Sequence, residues 1–298
     1  MFRLDLIKKY NQILYDELRT NDSYALCKMG SERIGAVRYV HQNGTADGFD
    51  NRSASQVCIN SGVFPYTVNA ITSACNIIIE GISRCNRLCV AGGGIPDKLP
   101  IDDTDTLNDN ILGNSFNHLK PFYPQVLEPW HFHMHGPLWT QHLKGKTVLV
   151  IHPFSNTIQD QFKIKDKVWP ELYNKFLDFD LVTLKTPMSR YTYDDEYPYP
   201  YNTWAEMVKD LTKQIKDITF DIALIGAGAM GAPLVAYCKH IGKVGIEVGG
   251  GLQLWFGITG RRFDSMDFHT KYMNKYWSRA CESERPKNLN AIEGGCYW

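Results

Sequence analysis

Apolar residues at Leu6, Tyr10, Ile13, Leu14 and Leu18 share one side of a 3.6-residue period, while Lys8, Lys9, Asp16 and Arg19 lie mostly away from it. The chain therefore opens with an amphipathic helix whose stripe faces a core. The pattern then shortens. Tyr24 to Met29 reads as a strand running into Gly30-Ser31-Glu32, with a helix from about Arg33. Asn43 to Ser55 is rich in Gly, Asn and Asp and reads as loop. Tyr66 to Ser83 is helical, and Arg87 to Ala91 is a strand halted by Gly92-Gly93-Gly94. Between Ile95 and Lys144 prolines, histidines and tryptophans interleave, and only Leu107 to His118 keeps a helical spacing.

Order returns at Lys146 to Ile151, a strand opening onto His152-Pro153-Phe154. A helix near Asn156 to Lys167, a strand at Phe179 to Leu184 and a Pro/Tyr loop from Met188 to Tyr201 follow. Thr203 to Asp217 is a helix with Trp204, Met207, Val208 and Leu211 on one side. Next come an apolar run from Phe220 to Ile225, a glycine turn, a helix reaching Gly242, and a last strand at Lys243 to Val248. Strands alternating with helices predict a Rossmann-like, doubly wound α/β fold, a mainly parallel sheet with helices on both faces. No long linker interrupts it, so residues 1–298 read as a single domain with at most a loose division near Gly145.

Charge narrows the function classes. There are 32 basic and 32 acidic residues, so a broad electrostatic attraction to nucleic acid is not expected, although a local basic spot for phosphate stays open. The eight cysteines are scattered without a Cys-x-x-Cys pair, which suits a reducing compartment. No apolar run reaches membrane-spanning length and the first residues do not make a secretory leader, so a cytoplasmic location is expected.

The chemistry concentrates at two glycine turns. Gly226, Gly228 and Gly231 fit Gly-x-Gly-x-x-Gly between a strand and a helix, where free N–H groups and the helix dipole favour phosphate. Glu247 ends the next strand about twenty residues on, where an acid can bind a ribose hydroxyl. Read alone, this unit suggests an NAD(P)-dependent oxidoreductase; close helix–sheet packing is the plain alternative. Gly249-Gly250-Gly251 then permits a second close approach by a ligand. Gln253 is placed to bond a sugar or base edge, and Arg261 or Arg262 to clamp a phosphate. His152 and Lys185 follow their strands at the sheet end where α/β proteins put ligand-contacting residues. His131-x-His133-x-His135 would share a face in an extended strand and so could chelate a metal. Asp103-Thr104-Asp105 matches a metal-binding Asp-x-Asp but sits in a polar, turn-like run. Hydrolase elbows and phosphate-loop Gly-Lys-Ser/Thr are absent from the sequence.

Several segments together resemble an uncharacterised family that occurs in bacterial polysaccharide gene neighbourhoods and in large viruses. They are Val148-Leu-Val-Ile-His152-Pro-Phe154, Leu184-Lys-Thr186, Phe220 to Gly226, Gly249 to Gly257, and the tail Glu284-Arg-Pro286…Glu293-Gly-Gly-Cys-Tyr-Trp298. That family is in turn similar to glycosyltransferases of the GT-D fold. The resemblance implies an enzyme that uses a nucleotide-diphosphate sugar donor on a glycan acceptor, with no NAD, in the host cytoplasm if viral. It implies roles for Glu32 as base or as ligand to a divalent cation (Mn or Mg), and for Lys28, Gly30 and Arg33 at the donor. One departure matters: matched without a gap, Ser31 and Arg33 stand where the GT-D Asp-x-Glu has its two acids. With one carboxylate left, Arg33 or Lys28 would neutralise the pyrophosphate instead of a metal, and a non-catalytic nucleotide- or glycan-binding protein is the further alternative.

Overall fold

The computed structural model describes residues 4–91, 116, 118–134, 136–188, 190, 199–264 and 271–298, with backbone alone at 31, 32, 90 and 91. The strands are β1 (Tyr24–Gly30), β2 (Arg87–Ala91), β3 (Lys120–Pro121), β4 (Thr147–His152), β5 (Asp180–Lys185), β6 (Ile222–Ile225) and β7 (Val244–Glu247). They form one sheet in the order β3-β2-β1-β7-β6-β4-β5, every pairing parallel. The sheet is continuous across Gly145, because β1 pairs with β7 at Tyr24↔Val244.

Strand side chains sort by the two-residue period. Ala25, Cys27 and Met29 of β1, Leu149 and Ile151 of β4, and Ala223 and Ile225 of β6 enter one core cluster. Tyr24 and Leu26, Val148 and Val150, and Ile222 and Leu224 enter the other. Both faces are thus buried, which is why these strands read as unbroken apolar runs. The first face carries α2 (Ser31–Asn43), α3 (Asn51–Ser61), α4 (Val68–Ser83), α6 (Trp204–Lys216) and α7 (Gly231–His240). The second carries α1 (Leu4–Thr20), α5 (Ser155–Lys163) and the 3-10 turns at Pro124–Leu127, Pro129–His131 and Trp139–Leu143. The expected doubly wound α/β architecture is the one observed.

Local chemistry sets the element ends. Thr203 accepts from Glu206 N–H and the Glu206 carboxylate reaches back, a capping box that starts α6. The Asn43–Ser55 loop expectation is corrected: α3 begins inside it, where the Asp50 side chain accepts from Ser53 N–H. Only Ala54, Val57 and Cys58 of that helix are buried, too narrow a stripe to stand out in the sequence. The Asn156–Lys167 helix is broken, ending at Lys163 before a separate turn at Lys165–Val168. The helix expected at Leu107 to His118 lies almost wholly outside the described residues. Among the described residues no helix is long and apolar enough to cross a membrane.

Candidate functional site

In an all-parallel sheet every strand delivers its carboxyl end to the same edge, and ligands of such folds bind there. Register aligns Ile151 with Ile225 and Ile225 with Glu247, so His152, Gly226 and Val248 leave the sheet side by side. A β-carbon added at Gly226 would lie 2.7 Å from His152 Cδ2 and 2.9 Å from the Gly249 carbonyl oxygen. The two glycine turns and the histidine therefore meet at one point.

The first turn is closed by the protein itself. Gly228 has φ +55°, a left-handed conformation that favours glycine. Arg33, 9% exposed, donates through Nη1 to the Gly228 carbonyl at 2.7 Å and through Nη2 to the Lys28 carbonyl at 3.1 Å. Its Nη2 also lies 3.5 Å from Glu247 Oε1. Glu247 Oε2 accepts from the Lys28 backbone N–H at 3.0 Å and from the Cys27 thiol at 3.4 Å. A side chain at Gly231 would overlap this carboxylate. Burial raises the Glu247 pKa, and Arg33 and the Lys28 N–H pull it part of the way back. Glu247 and Arg33, expected at a ribose and a pyrophosphate, thus have internal partners. Gly231 is small because a buried carboxylate lies against it.

The second turn is built differently. The indole N–H of Trp255 donates to the Leu127 carbonyl at 3.0 Å and that of Trp139 to Val126 at 3.2 Å. The Trp255 bond holds the 3-10 turns around Glu128 against the segment after β7, and the Trp139 bond ties them to the turn at Trp139–Leu143. Glu128, 9% exposed, accepts from Lys28 Nζ through Oε1 at 3.1 Å, and Lys28 Nζ also donates to the Val248 carbonyl at 2.9 Å. Glu128 Oε2 is buried without a hydrogen-bond partner among the described residues and faces Gly251, where a side chain would overlap it. The Lys28 stem runs past Gly249, whose φ is +72°. Gly250 is covered by the Tyr297 ring, 2.6 Å from where its β-carbon would sit.

His152 is buried beside Phe154 and accepts the Phe154 N–H through Nδ1 at 3.0 Å. Burial pushes its pKa down to about 3, so the ring is neutral and carries its proton on Nε2 as a donor. Thr186, one residue beyond β5, is 1% exposed and its hydroxyl has no partner among the described residues.

Other expected site residues are elsewhere or otherwise engaged. Gln253, expected at a sugar or base edge, is buried and donates to the Ile258 and Tyr297 carbonyls at 3.2 and 3.3 Å. Arg261 donates to the Gly294 carbonyl at 3.0 Å. Lys185 is exposed on β5, at the sheet margin. Gly30 is the residue that precedes α2. The Glu32 carboxylate, Asp103-Thr104-Asp105 and His135 lie outside the description. His131 belongs to a 3-10 turn, not an extended strand, and His133 Nδ1 contacts the Trp130 carbonyl at 2.7 Å, so the alternate-histidine face does not form. Tyr199 and Tyr201 bond Met188 and Asp210; Tyr191, Tyr193 and Tyr197 lie outside the described residues.

The tail walls the edge. Glu284 accepts from the Asn156 and Thr157 N–H groups at 2.7 and 3.2 Å and from the Thr157 hydroxyl at 2.6 Å, capping α5. Trp298 meets Phe154 at 6.2 Å between ring centroids. Sequence reasoning missed Glu128, Thr186 and Tyr297. The available signal for Glu128 was an acid set alone among Val126, Leu127, Pro129 and Trp130.

The Glu32 carboxylate, named above as a cation ligand, lies outside the described residues. No three His, Cys, Asp or Glu side chains group to hold one among the described residues. The two buried carboxylates at the edge each face a cation, Arg33 or Lys28. No protein-family model matches the chain, and no curated protein matches it. A solved structure described as a domain of unknown function 1792 is similar at 12% identity and a TM-score of 0.35, over 90% of this chain and 99% of that one. A likeness of that size carries no argument about function.

Proposed function

We propose that the protein is a glycosyltransferase-like enzyme that binds a nucleotide-diphosphate sugar at the carboxyl edge of its sheet and transfers the sugar to a glycan or related acceptor. The observation that carries this reading is the convergence of β1, β4, β6 and β7. Their ends bring Lys28, His152 and the left-handed turns at Gly228 and Gly249 together. The main electrostatic task in such a transfer is stabilising the departing diphosphate. Lys28 and Arg33 supply positive charge beside the two turns, donating to the Val248 and Gly228 carbonyls. The His152 Nε2–H is a fixed neutral donor for a phosphate or sugar oxygen. The sugar-transfer part of the reading rests on the resemblance of the strand ends and tail.

The inward turn of Glu247 counts against the oxidoreductase alternative, because the ribose acid of that reading is inside the protein. Titration calorimetry with UDP-glucose, GDP-mannose and NADH separates the two. A nucleotide sugar binds, NADH does not, and His152→Ala weakens the binding; NADH binding without nucleotide-sugar binding sinks the proposal. A protein that binds the donor but neither hydrolyses nor transfers it with any divalent metal, and is indifferent to Glu32→Gln, is a binding protein instead.

A further inference from the structure

The Lys28–Glu128 pair carries chemistry that the fold does not consume. An ammonium has three N–H donors, and Lys28 uses two, on Glu128 Oε1 and the Val248 carbonyl. A carboxylate has two acceptor oxygens, and Glu128 Oε2 is buried with no partner among the described residues. Native proteins rarely leave a buried charged oxygen unmatched, because desolvation is then uncompensated. The neighbouring pair shows the contrast. Both Glu247 oxygens have donors, and the Arg33 guanidinium bonds two carbonyls.

We infer that Lys28 and Glu128 form a diol-recognising pair, in which Glu128 Oε2 accepts a ligand hydroxyl proton while the remaining Lys28 N–H donates to the adjacent ligand oxygen. The unused valences are one acceptor and one donor on adjoining groups. Adjacent hydroxyls of a sugar ring present the complement, one oxygen donating and its neighbour accepting. An ionised phosphate has no proton to offer Oε2, and an apolar ligand would leave that oxygen unmatched, so neither satisfies Oε2, whatever the Lys28 charge does for a neighbouring phosphate. The position is also suitable: the pair lies against Gly249 and Gly251, where only a hydrogen stands on the α-carbon. The inference rests on the proposed nucleotide-sugar reading and deepens it. The diol is either the ribose of the nucleotide or the sugar to be transferred.

The test is calorimetric titration of the wild type, Glu128→Gln and Gly251→Ala with UDP-glucose, GDP-mannose, UDP, and UDP lacking its ribose hydroxyls. Gly251 has φ −69° and ψ −15°, so alanine fits its backbone and its methyl displaces the Glu128 oxygen without changing any charge. Expected is at least a tenfold loss of nucleotide-sugar affinity in both variants, as for removal of a hydrogen bond to a charged group. If ribose is the diol, UDP loses the same factor and the deoxy analogue is indifferent to Glu128→Gln. If the transferred sugar is the diol, UDP binds all three proteins alike. Thermal unfolding checks folding, and a Lys28→Met/Glu128→Gln double variant, which leaves no unpaired charge, replaces Glu128→Gln if that protein is unfolded. Wild-type affinity in the folded variants overturns the inference alone. Failure of the wild type to bind any of the four ligands overturns it together with the reading beneath it.

Discussion

The β6–α7 turn and the turn after β7 are neighbours, both glycine-rich, with opposite accounts. Around Gly226–Gly231 the glycines satisfy the protein: His152 and Glu247 fill the space that side chains at Gly226 and Gly231 would take, and Arg33 bonds the Gly228 carbonyl and Glu247. Around Gly249–Gly251 a carboxylate oxygen is left over. A glycine-rich turn therefore reports close approach, and the polar atoms beneath it tell whether the approaching body is the protein or a ligand.

The comparison is broken hardest by removing one partner of each buried pair. Glu247→Ala leaves Arg33 without its carboxylate in a site where the arginine side chain is 10% exposed, and should cost about 3 kcal/mol or more in denaturant unfolding. Glu128→Ala should cost less, because it also deletes an oxygen that already lacked a partner. Equal losses would erase the distinction between the turns.

Acid sharpens the same contrast through opposite slopes. The folded pKa of His152 is lowered from 6.5 to about 3, so below pH 6.5 the unfolded chain takes a proton that the folded one refuses. Stability then falls with pH, by about 2–3 kcal/mol between pH 6.5 and 4.5. Glu247 is raised above 4.5, so the folded chain holds a proton the unfolded one has lost, and its contribution fades as pH rises through the raised value. Urea unfolding against pH should show a shallower acid loss in His152→Asn and a steeper one in Glu247→Gln. Unchanged profiles in both would contradict the two burials.

The smallest effect lies away from both turns. Glu284→Ala removes the acceptor for two N–H groups and a hydroxyl at the start of α5. It should lower stability by about 1–2 kcal/mol, read as a shift in the thermal midpoint. A larger loss would mean that the tail supports the edge as a whole and not α5 alone.

The central strands β1, β4, β6 and β7 were legible because both their faces are buried, which makes them largely apolar runs. The expected Arg87–Ala91 coincides with β2. The regions that were not legible lack such a period. β3 is two residues ending in Pro121, and α3 buries only three side chains. At the site, the meeting of His152 with the glycine turns followed from their positions at strand ends. The engagement of Arg33, Glu247 and Gln253 did not, because a sequence shows a charge or an amide but not the partner that folding brings to it. Glu128 was hidden for a further reason: an indole N–H bond from Trp255, 128 residues from its acceptor, helps fix the turns that carry it.

The strand order has a kinetic consequence. Cys27 of β1 and Glu247 of β7 touch across 220 residues of sequence, and nothing closer in the chain can stand in for that contact. Until β7 docks, β1 and its neighbours end in an open edge of unpaired backbone, and the strands from β4 onward have no flank on that side. Closing so long a loop is slow and leaves sticky half-sheets in the meantime. Recovery from denaturant should therefore fall as protein concentration rises, with intermolecular pairing at β1 competing against the arrival of the chain's own last strand.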